Sequence, residues 1–261
     1  MKKIAISFIG TGNYINFFPK YYETINSYFV PECSKHFFVF TDAEFEGEVS
    51  NNISVLNIKE NFVPNSSDYR PSNWYNLMGN TVGGIGRFDA IKQIKSELKK
   101  YDWYVFIDAD YYCCENIITY EDFFNDEKKF FGVQHPTFCP QWKYFSGDLP
   151  FERNSNSLSY VKDSEIDGIY LQGCLWGGKI PDVFELIDEL DYRIKEDTKK
   201  NIKARAHDES HLNRYRIDYL NDFHVLSPSF AKPGLIPDNE FSFTAKMIHS
   251  PSDRYQILGA T

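Results

Sequence analysis

Short runs of consecutive apolar residues alternate with amphipathic helical patterns along most of the chain, and this alternation limits the folds open to it. The runs that predict strands lie at residues 4–9, 36–40, 53–58, 103–107, 130–134, 168–171 and 224–226. The patterns that predict helices lie at residues 16–28, 87–100, 183–194 and 207–219. Strands that alternate with helices predict an α/β fold with a mostly parallel central sheet and flanking helices. No linker or internal repeat interrupts the pattern, so we predict a single domain over residues 1–261.

The strand predicted at residues 103–107 runs directly into Asp108-Ala109-Asp110. In extended backbone, residues i and i+2 point to the same side, so the two carboxylates would repel each other unless a cation lay between them. Hard oxygen ligands suit Mg²⁺ or Mn²⁺, and open α/β sheets bind ligands beyond the carboxyl ends of their strands. Asp108 and Asp110 are therefore predicted to hold a divalent metal ion. The alternative is a polar turn that only closes the strand.

A second acidic pair lies in His207-Asp208-Glu209-Ser210-His211, on the helix predicted at residues 207–219. Two histidines at i and i+4 are typical of zinc-protease helices, but in those helices glutamate directly follows the first histidine. A zinc site is therefore the weaker interpretation. Adjacent carboxylates suit a reaction in which positive charge develops, and Asp208 is also predicted to cap the helix.

Three further segments are candidates for contact with a ligand or for motion. Gly10-Thr11-Gly12 follows the first predicted strand and is either a turn that brings the backbone near a nucleotide or a plain turn. Lys246, His249 and Arg254 make an irregular C-terminal stretch locally basic. That stretch is either a solvated tail or a cationic segment that settles only on a diphosphate. Residues 61–86 have no clear period, which predicts a functional or mobile loop.

Charge and composition disfavour several classes of function. The chain has 28 basic and 37 acidic residues, a formal net charge of −9, which disfavours nucleic-acid binding. No segment approaches the ~20 apolar residues of a membrane span. The five cysteines form no paired framework, so we expect reduced thiols and a cytoplasmic protein. Aromatic residues reach 17%, which indicates either a composition bias or a sugar-stacking surface.

An ordered set of motifs resembles the family 6 glycosyltransferases, the family of the blood-group A and B transferases and the α1,3-galactosyltransferases. In chain order the motifs are Phe38-Val39-Phe40-Thr41-Asp42, Arg87-Phe88-Asp89, Phe106-Ile107-Asp108-Ala109-Asp110, Gly132-Val133-Gln134-His135-Pro136, Phe151-Glu152-Arg153-Asn154, Gln172-Gly173-Cys174-Leu175-Trp176-Gly177-Gly178, His207-Asp208-Glu209-Ser210-His211-Leu212-Asn213-Arg214-Tyr215 and Leu226-Ser227-Pro228. The motif that starts at His207 is the most specific, and the ordered set covers most of the chain. The vertebrate members carry a membrane anchor and stem. No such segment is expected in this chain, so the resemblance is to a soluble, microbial type of member.

This resemblance implies a GT-A fold, with a Rossmann-like, mostly parallel sheet. It also implies a retaining transfer of galactose or N-acetylgalactosamine from UDP-Gal or UDP-GalNAc to O3 of a galactose-containing oligosaccharide acceptor. Mn²⁺, or Mg²⁺, would be held by Asp108 and Asp110 against the diphosphate, and Glu209 would be the catalytic carboxylate. The substrate-binding residues that it implies are Tyr14 at the uracil, Arg87 and Asp208 at the donor sugar, His135 at the acceptor, Gln172 and Cys174 where donor choice is set, and Lys246 and Arg254 at the diphosphate.

Two other functions remain open at this point. An inverting GT-A nucleotide-sugar transferase would also use an Asp-x-Asp pair, and a non-catalytic carbohydrate-binding protein would use the aromatic residues without cleaving a UDP-sugar. The chain also departs from the vertebrate pattern at Ala206, where tryptophan is common, and directly after Leu226-Ser227-Pro228. The second departure affects the residues expected to contact the outer parts of the acceptor.

Overall fold

The computed structural model describes residues 1–45, 50–58 and 86–259, so the predicted loop at residues 61–86 lies outside the described residues except for Gly86. The strands within the described residues are β1 (Lys3–Ile9), β2 (Ser34–Thr41), β3 (Ile53–Asn57), β4 (Trp103–Ile107), β5 (Tyr111–Cys113), β6 (Phe130–Gln134), β7 (Leu171–Lys179), β8 (Phe223–Leu226), β9 (Lys232–Pro233) and β10 (Met247–His249). All the predicted strands except the one at residues 168–171 are confirmed, with ends that agree within two residues.

The predicted helices lie where the pattern places them but differ in length, since the one predicted at residues 183–194 is longer and the others are shorter or broken. The helices are α1 (Phe18–Tyr28), α2 (Arg87–Lys92), α3 (Lys95–Leu98), α4 (Tyr120–Phe123), α5 (Val183–Lys199), α6 (His207–Asp218) and α7 (Arg254–Ile257). Short 3₁₀ helices lie at Gly12–Phe17, Asp163–Glu165, Leu220–Asp222, Pro228–Ala231 and Asp238–Glu240. None of the helices described here combines the length and the apolar character that crossing a bilayer would need.

Two helix predictions need correction. The helix predicted over residues 87–100 is broken, because Ile94 leaves the helical conformation between α2 and α3. No glycine or proline marks this break in the sequence, and the apolar face still packs in the core. The prediction that Asp208 caps α6 is wrong, because Ala206 is the N-cap residue and Asp208 lies inside the first turn.

Seven of the described strands form a sheet in the order β3-β2-β1-β4-β7-β6-β8. Neighbouring strands are parallel except at β7, which runs antiparallel to both β4 and β6. The predicted fold class, α/β with a mostly parallel central sheet and flanking helices, is therefore confirmed. Because β7 is reversed, its amino end lies beside the carboxyl end of β4, where Ile107 pairs with Leu175. This pairing brings the Asp-x-Asp segment next to the start of β7.

The centre of this sheet is buried on both faces, which explains why β4 is an unbroken apolar run. On one face, Ile6 and Phe8 of β1 pack in the same core cluster as Tyr21 of α1. On the other face, Phe106 of β4 packs with Phe88 of α2, in a cluster that α5 also joins. The two helical layers hold the carboxyl edge of the sheet in a fixed position.

The predicted strand at residues 168–171 is wrong in its bounds, because β7 begins at Leu171 and continues through three glycines to Lys179. Glycine usually weakens a strand interior, but it is also found where another backbone approaches closely. A Cβ atom on Gly177 would lie 2.1 Å from the carbonyl oxygen of Tyr104. Close approach to the neighbouring strand therefore requires glycine here.

Replacing Gly177 by alanine should destabilise the protein by about 3 kcal/mol, because the new methyl group would overlap a backbone atom that cannot move away. Gly132→Ala on β6 is the matched control. Its Cβ would meet the end of the Leu171 side chain at 2.7 Å, and that side chain can change rotamer. Urea denaturation followed by circular dichroism measures both variants. Equal losses of unfolding free energy in the two variants would contradict this explanation of β7.

The C-terminal stretch, predicted to be irregular, contains β10 and α7. A three-stranded sheet in the order β5-β10-β9 joins it to the segment that follows Asp110. His249 lies opposite Tyr111 in the antiparallel pair of β10 with β5. The side chain of Asn13 donates to the backbone carbonyl of Leu258 at 2.9 Å, which fastens α7 to the 3₁₀ helix after β1. The tail is thereby held at the carboxyl edge of the central sheet.

Candidate active site

The two aspartates predicted to bind a metal lie directly beyond the end of β4. The backbone N–H of Asp108 donates to the carbonyl oxygen of Cys174 on β7 at 2.9 Å. The carbonyl oxygen of Asp110 accepts from the N–H of Ser250 at 3.0 Å, and the Asp110 side chain is buried. The Asp-x-Asp segment is therefore tied to β7 on one side and to the C-terminal stretch on the other.

His249 joins these aspartates in a group of three possible metal ligands. Its Nε2 atom lies 3.5 Å from Oδ1 of Asp110 and 4.0 Å from Oδ2 of Asp108. One potential ligand atom from each residue lies within 4.8 Å of the other two. Carboxylate oxygens suit Mg²⁺ and Mn²⁺, and an imidazole nitrogen favours a transition metal. The donor set fits the predicted metal, with Mn²⁺ the better match.

The pKa of Asp108 shows that its anionic form is poorly stabilised in the ion-free protein. Burial raises the pKa of Asp108 to about 8, against the opposing effect of the Arg87 guanidinium and with a further increase from the Asp110 carboxylate. Desolvation disfavours the charged form of a carboxyl group. A bound divalent cation reverses this effect, because it stabilises the anion directly.

Arg87, the first residue of α2, connects the metal-ligand group with the second acidic pair. Its Nη2 atom lies 3.5 Å from Oδ1 of Asp108, and its Nη1 atom lies 3.4 Å from Oδ2 of Asp208. The Nη1 atom also donates to the carbonyl oxygen of Gly173 at 2.7 Å. The guanidinium lies 4.4 Å above the ring of Phe106. Arg87 is buried, so these contacts hold its position firmly.

Glu209 lies in the first turn of α6, against the backbone of β7. Its Oε2 atom accepts a hydrogen bond from the N–H of Gly173 at 2.8 Å. Burial raises the pKa of Glu209 to about 7, although the hydrogen bond from Gly173 lowers it. Such perturbed pKa values cluster at functional sites, where acids and bases are tuned to their task.

The neighbouring carboxylates of Asp208 and Glu209 have different partners. Asp208 faces the guanidinium of Arg87, whereas Glu209 faces the backbone of β7. A Cβ atom on Gly173 would lie 3.2 Å from Cβ of Glu209 and 3.3 Å from Oδ2 of Asp208. The close approach of α6 to β7 therefore depends on glycine at this position.

Arg254 of α7 reaches back to the aspartates. Its Nη1 atom lies 2.8 Å from Oδ2 of Asp110, and its Nη2 atom donates to the hydroxyl oxygen of Tyr14. Ser250 accepts from Arg254 at 2.9 Å and donates to Asp110 at 3.2 Å. The expectation that the charge of Arg254 settles only on a diphosphate is wrong, because Asp110 pairs with it here.

Gln172 and Cys174 lie on β7, two residues apart and on the same side of the strand. The Nε2 atom of Gln172 lies 3.3 Å from Nδ1 of His249. The Sγ atom of Cys174 lies 3.0 Å from the hydroxyl oxygen of Tyr111. Both side chains therefore contact residues that adjoin the metal-ligand group.

The other two predicted site residues, His135 and Lys246, form their hydrogen bonds and ion pairs outside the metal-ligand group. The N–H of His135 donates to the carbonyl oxygen of Tyr170 at 2.8 Å. Burial lowers the pKa of His135 to about 3, and His249 lowers it further, so the ring is neutral. The Nζ atom of Lys246 pairs with Asp122 at 3.3 Å, away from the group around Asp110. The structure thus does not bring Lys246 to the other predicted residues, and its role at a diphosphate stays a prediction.

Sequence reasoning identified His249 only as part of a basic tail and missed its position beside the aspartates. The contact joins segments that are 140 residues apart, and no local pattern indicates it. The zinc interpretation of His207 and His211 gains no support. His211 lies 3.7 Å from Asp197, and within the described ranges the aspartate–His249 group is the one set of at least three His, Cys, Asp or Glu side chains this close.

The sequence profile described as Glycosyltransferase family 6 matches residues 2–239. The chain belongs to glycosyltransferase family 6. The resemblance inferred from the ordered motifs is therefore confirmed, and the family supports a transferase that uses a nucleotide-sugar donor and a glycan acceptor.

Relatives of this family 6 glycosyltransferase come from bacteria and vertebrates. The O-antigen biosynthesis glycosyltransferase WbnI of Escherichia coli is 30% identical over 262 residues, which cover 98% of this chain and 97% of the relative. Histo-blood group ABO system transferase 2 of Rattus norvegicus is 30% identical over 126 residues, 47% of this chain and 36% of the relative. Globoside alpha-1,3-N-acetylgalactosaminyltransferase 1 of Gallus gallus is 23% identical over 238 residues, 87% of this chain and 61% of the relative.

Proposed function

We propose that this family 6 glycosyltransferase moves N-acetylgalactosamine or galactose from a UDP-sugar, with retention of configuration, to O3 of a galactose-containing acceptor in a divalent-metal-dependent reaction. The observation that carries the proposal is that Asp108, Asp110 and His249 converge with Arg87 and Glu209 at one edge of the sheet. The name of the chicken relative supports the α1,3 linkage and an N-acetylgalactosamine donor. The name of the bacterial relative supports a glycan acceptor.

The metal-ligand group and the C-terminal tail would serve the leaving group. Asp108, Asp110 and His249 would hold Mn²⁺, which when bound neutralises negative charge on a diphosphate. Arg254 is proposed to add a second positive charge there, because its guanidinium already lies beside Asp110. Arginine suits this task, since its fork of N–H donors matches phosphate oxygens.

Glu209 is proposed to stabilise the positive charge that develops at the anomeric carbon of the donor sugar. Its side chain is half-buried, and the Gly173 N–H fixes the position of its carboxylate. Preorganised charges in a site that excludes water stabilise a transition state more strongly than they would in water. Arg87 and Asp208, which pair with each other, are proposed to bind the hydroxyl groups of the donor sugar.

Gln172 and Cys174 are proposed to govern the choice of donor sugar. A cysteine side chain is only slightly larger than that of alanine, so it leaves room for an acetamido group. We therefore propose N-acetylgalactosamine as the preferred donor, with galactose as the second candidate.

UDP release tests this function directly. The assay compares UDP-GalNAc with UDP-Gal, with and without Mn²⁺, in the presence of a galactose-terminated oligosaccharide. NMR of the product assigns the anomer and the position of the new bond. An α1,3 product from an α-linked donor supports the proposal, a β anomer indicates an inverting transferase, and binding of the oligosaccharide without UDP release indicates a carbohydrate-binding protein.

The pH dependence of kcat/KM should follow the ionisation of Glu209. The pKa of Glu209 in the free protein is raised to about 7, so the carboxyl group is protonated at lower pH and becomes anionic as pH rises. If the anion is the active form, kcat/KM should fall about tenfold per unit as pH drops below that pKa. A bound cation would move the midpoint of this pH dependence below 7, but kcat/KM would still fall on the acid side. At saturating Mn²⁺, which would keep Asp108 anionic, the residual activity of Glu209→Gln should not fall in this way on the acid side. An identical acid-side fall in both proteins would contradict the assignment.

A further inference from the structure

The side chain of Gln172 makes an incomplete contact with His249. Gln172 is buried, with 8% of its surface exposed. Its Nε2 atom lies 3.3 Å from Nδ1 of His249. Its Oε1 atom, which is also buried, has no hydrogen-bond partner among the described residues. A half-turn of the amide exchanges these two atoms, and the oxygen would then face Nδ1 of the ring.

The orientation of this amide is coupled to which nitrogen of His249 carries the proton, on a ring whose Nε2 atom also lies 3.3 Å from the hydroxyl oxygen of Ser250. When the Gln172 nitrogen donates to Nδ1, the proton of the neutral ring lies on Nε2, which faces Asp110 at 3.5 Å. When the oxygen accepts from Nδ1–H, Nε2 instead presents a lone pair toward the two carboxylates. A metal-bound histidine usually donates its other N–H to an acceptor of this kind.

The rest of the histidine has little freedom to move. The backbone of His249 pairs with β5, and its ring lies 5.0 Å from the ring of Tyr111. The backbone N–H of Ser250, the next residue, donates a hydrogen bond to the carbonyl oxygen of Asp110. Rotation of the Gln172 amide is therefore the simplest adjustment that prepares Nε2 to bind a cation.

We propose that Gln172 is the positioning residue that selects the metal-binding tautomer of His249, the third member of the proposed ligand group. The inference rests on the proposed metal-dependent function. It gives Gln172 a role besides contact with the donor sugar. Glutamine suits the position because it can donate to one tautomer and accept from the other, so Nδ1 of His249 has a partner both with and without the ion.

A titration of the nucleotide-free protein with Mn²⁺ tests the inference without any turnover. The EPR signal of free Mn²⁺ measures how much of the ion remains unbound. His249→Phe and Gln172→Leu should each weaken Mn²⁺ binding, by ~10–100-fold for a supporting residue such as Gln172. Gln172→Met is a second apolar variant in case the leucine protein does not fold. Gln172→Glu, which can only accept from Nδ1–H, should bind Mn²⁺ at least as tightly as the parent. Gln93→Leu, on an exposed residue between α2 and α3, is the matched control.

A tautomer measurement completes the test. Long-range ¹H–¹⁵N NMR spectra of His249 should show the proton shifting to Nδ1 when Mg²⁺ is added. Unchanged Mn²⁺ affinity in Gln172→Leu, equal weakening in Gln172→Leu and Gln172→Glu, or no Mn²⁺ binding by the parent protein would overturn the inference. If the expected pattern of Mn²⁺ binding appears without UDP release from any UDP-sugar, the ligand assignment stands and the proposed transferase function fails.

Discussion

Replacing Glu209 by glutamine should lower kcat by ~10²–10³, equivalent to about 3–4 kcal/mol of barrier. The substitution retains the shape of the side chain and its hydrogen bond from Gly173. It removes only the negative charge proposed to stabilise the developing cation. The affinity for UDP should hardly change, because the carboxylate faces β7 and the donor-sugar residues, whereas the nucleotide is proposed to bind at Tyr14 and Arg254.

The measurement is kcat in the UDP-release assay together with UDP affinity by calorimetry. Glu185→Gln, at an exposed glutamate in the first turn of α5, is the matched control and should behave as the parent. Asp208→Asn should instead raise the KM for the donor, because Asp208 pairs with Arg87. A Glu209→Gln protein with near-normal kcat would refute the catalytic assignment. Joint loss of UDP affinity and folding would indicate that the carboxylates only anchor α6.

Removal of the divalent ion should abolish most activity. Metal neutralisation of a leaving diphosphate is worth several kcal/mol, so chelation should reduce turnover by ~10³ or more. Added Mn²⁺ should restore it more effectively than Mg²⁺, since the proposed ligands include the His249 imidazole. Asp110→Asn should give a similar loss that Mn²⁺ does not restore, because the substitution removes a ligand carboxylate.

Two controls separate a metal role from a structural one. Asp163→Asn alters an exposed aspartate that pairs with Arg153 at the surface, and it should retain full activity. The melting temperature of Asp110→Asn should also be measured, because this change removes the partner of Arg254. Chelator-treated protein with full turnover would show that the aspartates have a structural role only.

Local sequence pattern predicts a strand well when all of its residues are buried to the same degree. β4 is buried on both faces, so residues 103–107 form an apolar run with clear ends. The aspartates after it were predicted as a site because two charged residues at the end of a buried strand need a partner. The same reasoning could not reveal that Ile94 interrupts the helix after Arg87, since no residue with a special backbone preference lies there.

The parts of the site that escaped prediction depend on contacts between distant segments. The reversed direction of β7 brings the backbone of Gly173 to Arg87 and Glu209, but a glycine-rich run does not reveal its direction. Likewise His249 lies beside Asp110 because β10 pairs with β5. Strand pairing over such separations is determined by the fold as a whole, so the order of motifs gives candidate site residues but not their neighbours in space.

Gly173 has a consequence for how this site can change over evolution. Its N–H holds Glu209 and its carbonyl oxygen holds Arg87, so main-chain atoms align two of the proposed catalytic and donor-binding groups. Substitutions at the adjacent positions 172 and 174 alter the pocket lining but leave both of these hydrogen bonds unchanged. If Cys174 governs donor choice as proposed, a lineage can exchange one donor sugar for another by mutation at that position while the alignment of Glu209 with Arg87 is inherited intact.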